Sequence, residues 1–314
     1  MNKTVLRLNC FLLLISILSS CKQPQIPFKP HVEFTPKAES IKAGPSPFPL
    51  ITTAENIADE QRIGETFGQR RDFYRAITAF ERGEILLRGS SLQTILQFQY
   101  EILLSYYLAG KYEEAFCYFE KSALKNAVTN TFPAWKDMLI IVYDSSCRTG
   151  REEYAQALLK GIYLQNPSLA NKLELYSALR TGDFKSALTM KAAPSYLKKI
   201  YSCYCLDSKS VNQARMMNAL LPGAGYMYVK QVNTGITALI MNAVFIGATY
   251  QFAKKNLIFP AIICASLEVG WYIGGIWGAG RAAAEYNECL YENVGNKILE
   301  QERLYPLLML DYVF

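Results

Sequence analysis

Histidine is almost missing from this sequence. His31 is the only one in 314 residues, and it lies in a proline-rich stretch. A single imidazole argues against most zinc sites and against nucleophilic catalysis by a Ser–His or Cys–His pair. No P-loop, His-Glu-x-x-His or Gly-x-Ser-x-Gly pattern occurs. Gly278-Ala279-Gly280-Arg281-Ala282-Ala283 is a loose match to a dinucleotide fingerprint, but it lacks a preceding strand and a following acidic partner, so it is rejected. Charge is also sparse. Charged residues make up 19% of the chain, and the net +6 is spread without a dense basic block, so nucleic acid is not an expected partner. Tryptophan is scarce at 3 residues. These absences leave no candidate catalytic residue, metal ligand, cofactor or small-molecule substrate, and a non-enzymatic protein is expected.

What is present is apolar and tyrosine-rich: 51% hydrophobic residues and 21 tyrosines, enough for a sizeable core and suited to membrane interfaces. Residues 1–20 have the form of a secretory signal. Lys3 and Arg7 precede an apolar run from Phe11 to Leu18 that is shorter than the roughly 20 residues a spanning helix needs. The run ends in Leu18-Ser19-Ser20-Cys21, which resembles the bacterial lipobox. That resemblance implies cleavage before Cys21 and fatty acylation of its thiol, with palmitate-type chains anchoring the mature protein. An ordinary cleaved signal with Cys21 incidental is the competing reading. Lys22, where an Asp retains enterobacterial lipoproteins in the inner membrane, leans toward the outer membrane. Seven of the 13 prolines fall between Lys22 and Thr53, so 21–56 is read as a semi-rigid tether.

Residues 57–210 carry a recurring pattern in which a helix closes on Gly and an aromatic and an Ala open the next. The clearest copies are Leu103–Ala115, continuing to Phe119, and Leu175–Ala187; weaker ones surround Phe73–Ala76, with Phe80, and Gly150–Ala155. Gly tolerates left-handed backbone at the helix end, Ala permits close helix approach, and the aromatic fills the wedge. Ala76, Ala115, Ala155 and Ala187 are 39, 40 and 32 residues apart. The pattern resembles degenerate tetratricopeptide repeats, which implies stacked helical hairpins with a groove that holds segments of other proteins. Tyr106, Tyr107 and Arg75 are equally readable as groove, packing or solvated surface.

Beyond Asn212 the composition shifts. Val232–Ala253 is nearly uncharged, Lys254-Lys255-Asn256 interrupts, and Leu257–Gly280 is apolar with Glu268 as its one charge. Both stretches are long enough to span a bilayer as an antiparallel hairpin. Gly270, Gly274 and Gly278, four apart, predict close helix packing, with Ala243 and Gly247 as a matching small face. Glu268 is costly in a bilayer; pairing with Asn242 or protonation would relieve it. Ahead of the hairpin, Pro222-Gly223-Ala224-Gly225-Tyr226-Met227-Tyr228 resembles the Pro-Gly-x-Gly-Gln-x-Tyr element of a family of small bacterial membrane proteins of poorly defined function. Pro222, Gly223, Gly225 and Tyr228 match, and Tyr226 replaces the usual Gln. The resemblance covers residues 214–287, taken as a membrane module 211–287 followed by a tail, 288–314.

Six cysteines remain beyond Cys10 and Cys21: Cys117, Cys147, Cys203, Cys205, Cys264 and Cys289. They are open both to disulfide pairing outside the cytoplasm and to buried free thiols. The expected protein is all-α: a helical-repeat solenoid outside the cytoplasm, then a transmembrane hairpin, with lipid and envelope proteins as partners. Its expected role is a scaffold in envelope or membrane-protein assembly. Lys254 and Lys255 would lie in the cytoplasmic loop. Two helical spans favour the inner membrane over the outer. The alternatives are an outer-membrane lipoprotein similar to the repeat lipoprotein of the barrel-assembly machinery, and a membrane enzyme or transporter using Glu268.

Overall fold

The computed structural model of the chain describes residues 28–30, 44–49, 55–87, 91–127, 132–190 and 193–314. Cys21, Lys22 and His31, with the signal and most of the tether, lie outside the described residues. The described residues contain helices and no strand. They form two compact units. One comprises Pro30–Asp207 and Leu290–Phe314; the other is built on Ser208–Cys289.

Among the described residues the first unit opens with nine α-helices in succession: α1 (Glu55–Gln69), α2 (Phe73–Leu86), α3 (Leu92–Leu108), α4 (Tyr112–Lys121), α5 (Trp135–Arg148), α6 (Glu152–Gln165), α7 (Pro167–Arg180), α8 (Phe184–Thr189) and α9 (Leu197–Asp207). Each packs on its neighbour in sequence. The turn inside each hairpin has one repeated geometry. Gly110, Gly150 and Gly182 take φ of +72°, +73° and +84°, and Arg71 occupies the corresponding place at +62°. The next residue then donates its N–H five residues back, as Lys111 does to the Tyr106 carbonyl at 2.9 Å and Asp183 to Ala178 at 2.9 Å. This satisfies carbonyls that the ending helix leaves without partners. Five residues after each left-handed residue stands an Ala: Ala76, Ala115, Ala155 and Ala187, all buried. The helix-opening aromatics Phe73 and Tyr112 are half-buried, and Phe184 is buried. The position of Tyr154 differs: it sits directly before Ala155 and meets Phe116 edge-on at 5.0 Å.

The core runs along these hairpins. Phe80 and Phe98 are fully buried, and each lies over a glycine: an added Cβ at Gly64 would meet the Phe80 ring at 2.4 Å, and one at Gly83 the Phe98 ring at 2.1 Å. Residues 290–314, read from the sequence as part of a tail, belong to this unit. Tyr291 is buried and donates its hydroxyl to the Leu179 carbonyl at 2.6 Å.

The second unit begins with α10 (Val211–Leu220) and the short α11 (Ala224–Tyr228). Two long helices follow: α12 (Val232–Lys254) and α13 (Ile258–Gln301), whose residues from Leu290 on belong to the first unit. The repeat turn recurs here. Lys230 at φ +66° precedes α12 and Asn256 at +57° precedes α13, with Gln231 N–H to the Tyr226 carbonyl and Leu257 N–H to Phe252, both at 2.9 Å. The sequence placed the apolar segments at 232–253 and 257–280. Their starts agree with the helices, but α13 continues 21 residues past Gly280, through a stretch of polar and apolar residues that keeps helical periodicity. The short helix α14 (Pro306–Met309) lies near the end of the chain.

Candidate functional site

Two places in the molecule bring unusual residues together. The first is the turn that launches the apolar helices. Gly223 has φ +93° and ψ −23° at the start of α11, a conformation only glycine adopts freely. Its N–H donates to Asn218 Oδ1 at 2.9 Å, and Asn218 is buried. The Gly223 and Gly235 backbones touch: a Cβ at Gly223 would stand 2.1 Å from the Gly235 oxygen. Gly225 is equally enclosed, with the Ala214 carbonyl 2.2 Å and the Ala279 methyl 2.7 Å from an added Cβ. Pro222 lies in the same turn, within the short break between α10 and α11. Tyr228 closes the motif by donating to Gln213 Oε1 at 3.1 Å and accepting the Ser210 N–H at 3.2 Å, with Lys209 above its ring at 5.2 Å. The motif residues thus serve one purpose, the close crossing of α10, α11, α12 and α13.

The glycine stripe is used differently from the sequence expectation. A Cβ at Gly270 or Gly274 would meet nothing within 4 Å, and the same holds at Gly247. Ala243 is exposed. The expected close contact between small faces is therefore not formed within the chain. Gly270 and Gly274 instead line an apolar groove of about 870 Å³ that also includes Thr237, Ala238, Phe245 and Trp271. Gly278 has a local role: a Cβ there would stand 2.1 Å from the Tyr226 hydroxyl. Tyr226 is the residue that occupies the space beside that glycine. Because the obstructing atom is the end of a side chain, Gly278→Ala is expected to be nearly neutral. In a Tyr226→Phe background the same change should stabilise by about 0.5–1 kcal/mol, the ordinary helical advantage of Ala over Gly. A double-mutant cycle on thermal unfolding in micelles checks this; additivity within about 0.3 kcal/mol would remove Tyr226 as the cause.

Asn242 and Glu268 do not pair. Asn242 is buried and donates to the Ala238 carbonyl of its own helix at 2.6 Å. Its Oδ1, and Glu268 Oε2, are buried without a hydrogen-bond partner among the described residues. The Asn242 amide donates within its own helix and not across to Glu268, so the expected pair is not formed. Cys117, Cys147, Cys203, Cys205, Cys264 and Cys289 form no disulfide among the described residues, and Cys203, Cys205 and Cys289 are exposed.

The second place is the face formed by the first helix of each hairpin, α1, α3, α5 and α7. It holds three fully buried carboxylates that the sequence did not single out: Glu101, Asp137 and Asp144. Asp144 accepts the Tyr107 hydroxyl at 2.8 Å, the Tyr176 hydroxyl at 3.0 Å and Arg148 Nε at 2.8 Å. This ties α3, α5 and α7 together. Burial, reinforced by the Asp144 charge, pushes both phenols well above their usual range, so they remain donors. Burial, the largest single effect, would lower the Arg148 guanidinium, but Asp144 together with the Tyr176, Tyr112 and Tyr107 phenols more than offsets it. Of the three residues left open by the sequence, Tyr107 is packing. Tyr106 is half-buried, with Tyr118 6.0 Å away. Arg75 is exposed, paired with Asp72 and lying over Phe67.

Asp137 holds the bend that follows the short helix α14 in the same unit. Its carboxylate accepts the Asp311 N–H at 3.0 Å and the Tyr312 N–H at 2.9 Å. Tyr312 packs with Phe48 and Tyr100, with ring centroids 6.3 and 6.4 Å away. Phe314 stacks on Phe80 at 5.7 Å, and Tyr305 meets Tyr176 at 6.2 Å. An added Cβ at Gly68 would meet the Phe314 ring at 2.6 Å. Leu304–Phe314 therefore crosses α7, α5, α3 and α1 in turn. A sequence signal existed in the aromatic-rich Asp311-Tyr312-Val313-Phe314, but nothing local tells such a segment where to dock. Comparison of the chain with models of known protein families, with curated proteins and with solved structures returns no match.

Proposed function

We propose that this protein is a membrane-anchored, non-enzymatic scaffold of the bacterial cell envelope, whose helical-hairpin unit engages protein partners beside the membrane. The observation that carries the reading is a contrast within one chain. Two helices are long and apolar enough to cross a membrane, and their most apolar windows are only 11% and 6% buried. Exposed apolar surface of that extent is not stable in water and calls for lipid or a partner. The unit formed by α1–α9 with residues 290–314, by contrast, buries its apolar side chains in core clusters of its own.

Four supports add to it. The lipobox-like Leu18-Ser19-Ser20-Cys21 provides an acyl anchor on the far side of the cytoplasmic membrane. The recurring turn with its buried Ala supports a tetratricopeptide-like solenoid. The enclosed Pro222-Gly223-Ala224-Gly225 turn supports a distinct membrane module at 211–287, in which α12 and α13 cross the bilayer and the Lys254-Lys255 turn faces the cytoplasm. The absence of a histidine-based or motif-based catalytic set in the sequence supports a binding role. Envelope or membrane-protein assembly is the setting that fits these parts. Lys22 favours an outer-membrane variant of the same reading, in which the hairpin lies on the membrane, and density fractionation separates the two.

The test is extraction. Wild type and Cys21→Ala are expected to stay in the membrane pellet through alkaline carbonate, because two spans hold each. Only wild type should carry acyl mass. Release of Cys21→Ala as a folded soluble monomer would overturn the spans, and acyl-free wild type would overturn the lipoprotein.

A further inference from the structure

The exposed apolar surface of the second unit does not stop at α12 and α13. α10 runs antiparallel beside the middle of α13, and its contacts fix the register. Before α10 begins, the Lys209 N–H donates to Asn287 Oδ1 at 2.7 Å, and Asn287 Nδ2 donates back to the Lys209 carbonyl at 2.8 Å. Further along, Arg215 lies over the Trp277 ring at 4.6 Å and against Gly280. Further still, Asn218 reaches Gly275, and the Ala219 carbonyl accepts the Tyr272 hydroxyl. Each step forward along α10 is a step back along α13. The apolar segment of α13 ends at Gly280, before Arg281. α10 passes that level at Arg215 and continues inward. Gly275 and Tyr272 stand five and eight residues inside Gly280, which at about 1.5 Å per residue puts the end of α10 roughly 7–12 Å beyond it. The turn that follows touches α12 at Gly235, also inside an apolar segment.

Side chains sort along this path. Lys209, Asn212 and Gln213 precede the crossing, Lys230 and Gln231 follow the return, and no charged residue lies between Arg215 and Lys230. The exposed residues of that stretch, Met216, Leu220, Leu221 and Met227, are all apolar, and Leu220 is 81% exposed. Polar groups are turned inward instead. Asn218 is buried and accepts the Gly223 N–H, Tyr272 takes up the Ala219 carbonyl, and Pro222 has no N–H to satisfy. A turn in water shows the reverse, with polar side chains outward and backbone groups left to solvent. Bonded backbone beneath apolar side chains is what hydrocarbon requires. Where the chain enters and leaves, Arg215 lies over Trp277, Lys209 over Tyr228 and Lys230 over Tyr286. Aromatics with long cations are the side chains that suit a bilayer boundary.

We propose that α10, the Pro222-Gly223 turn and α11 form a re-entrant segment whose tip, with Met216, Leu220 and Leu221, contacts acyl chains of the leaflet that α12 enters. The proposal rests on the membrane reading of 211–287 above, and it adds to the two spans a third lipid-facing element confined to one leaflet. Lipid is the occupant because the tip is continuous with the surface of α12. Met227 lies against Gly235, and Val232 and Ile236 on either side of that glycine are exposed and apolar.

The experiment places the full chain, one copy per disc, in nanodiscs of phosphatidylethanolamine and phosphatidylglycerol. Cys117, Cys147, Cys203, Cys205, Cys264 and Cys289 are replaced by alanine, and a nitroxide is attached at Asn212→Cys, Leu220→Cys or Ile236→Cys. Its collisions with oxygen and with a nickel chelate are then measured. Asn212 and Ile236 are both exposed, and they serve as the wet and the lipid reference. The label at Leu220 should match Ile236, with an oxygen-to-nickel ratio on the order of tenfold above that at Asn212, because the chelate stays in water. A water-like label at Leu220 beside a lipid-like one at Ile236 overturns the re-entrant segment and leaves the spans standing. Water-like labels at both overturn the membrane reading, and this proposal with it. Shielding from both reagents at Leu220 means that protein covers the tip, and overturns the proposal too. Should the cysteine replacements prevent folding, wild type decides through methionine oxidation by an anionic oxidant in the same discs. Met216 is exposed and Met190 half-buried. Met216 should nonetheless oxidise more slowly, on the order of tenfold, because lipid keeps the oxidant from it. Equal or faster oxidation of Met216 overturns the proposal.

Discussion

Replacing Asp144 by alanine is expected to destabilise the helical-hairpin unit by about 3–5 kcal/mol, the range for removing one partner of a buried, hydrogen-bonded charge pair. The carboxylate is fully buried and takes hydrogen bonds from Tyr107, Tyr176 and Arg148. Alanine leaves two phenol hydroxyls and a guanidinium without their acceptor. Arg148 cannot simply turn to solvent, because it lies over the Tyr112 ring at 4.6 Å and also donates to the Tyr176 hydroxyl at 3.1 Å. Since a domain of this kind is stable by only about 5–15 kcal/mol, the loss is a large share of the total, and the steady-state level of the variant should fall. Asp144→Asn keeps the shape and one acceptor and should cost roughly half as much. Urea unfolding in micelles, followed by tyrosine fluorescence, measures both. If each variant lay within about 1 kcal/mol of wild type, the network would not be what holds α3, α5 and α7 together.

Gly223→Ala is expected to disorganise the turn that launches the apolar helices, at a cost of roughly 2–5 kcal/mol. Left-handed backbone penalises any side chain by about 1–2 kcal/mol, and overpacking adds about 1–3 kcal/mol. Both apply, because φ is +93° and the new Cβ would stand 2.1 Å from the Gly235 carbonyl oxygen. That oxygen belongs to the first turn of α12 and has no rotamer to escape into. Gly235→Ala is milder: it meets the Gly223 oxygen and a Met227 side-chain carbon, each at 2.7 Å, and the methionine can move. Limited proteolysis in micelles should cut Gly223→Ala fastest between residues 221 and 231, Gly235→Ala more slowly and wild type slowest. Identical digestion of all three would mean that the two glycines do not set this crossing.

Much of the architecture is written locally. Gly110, Gly150 and Gly182 mark turns because left-handed backbone is a property of the residue itself, and the buried Ala five positions later follows from the geometry of that turn. The ends of α12 and the start of α13 are legible because apolar composition changes at the Lys254-Lys255-Asn256 break. The first hairpin was harder to see, since Arg71 takes the left-handed place at φ +62° where the other three have glycine. The candidate site was mostly illegible. Tyr107, Asp144 and Tyr176 are separated by more than thirty residues each, so no window contains their association. Asp137 and the Asp311 and Tyr312 amides are farther apart still, by 174 and 175 residues.

The glycine stripe shows the limit most directly. Gly270, Gly274 and Gly278 have one spacing and one expected use. In the structure two of them line an open groove, and the third makes room for the Tyr226 hydroxyl. Sequence by itself determined which segments are helical, where they turn and which are apolar enough for lipid. Those properties depend on backbone preference and on composition summed over neighbouring residues. Only tertiary structure decided that buried carboxylates join alternate helices, that Leu304–Phe314 lies across them and what faces each glycine. Those depend on which distant groups come within a few ångströms, and no local energy encodes that.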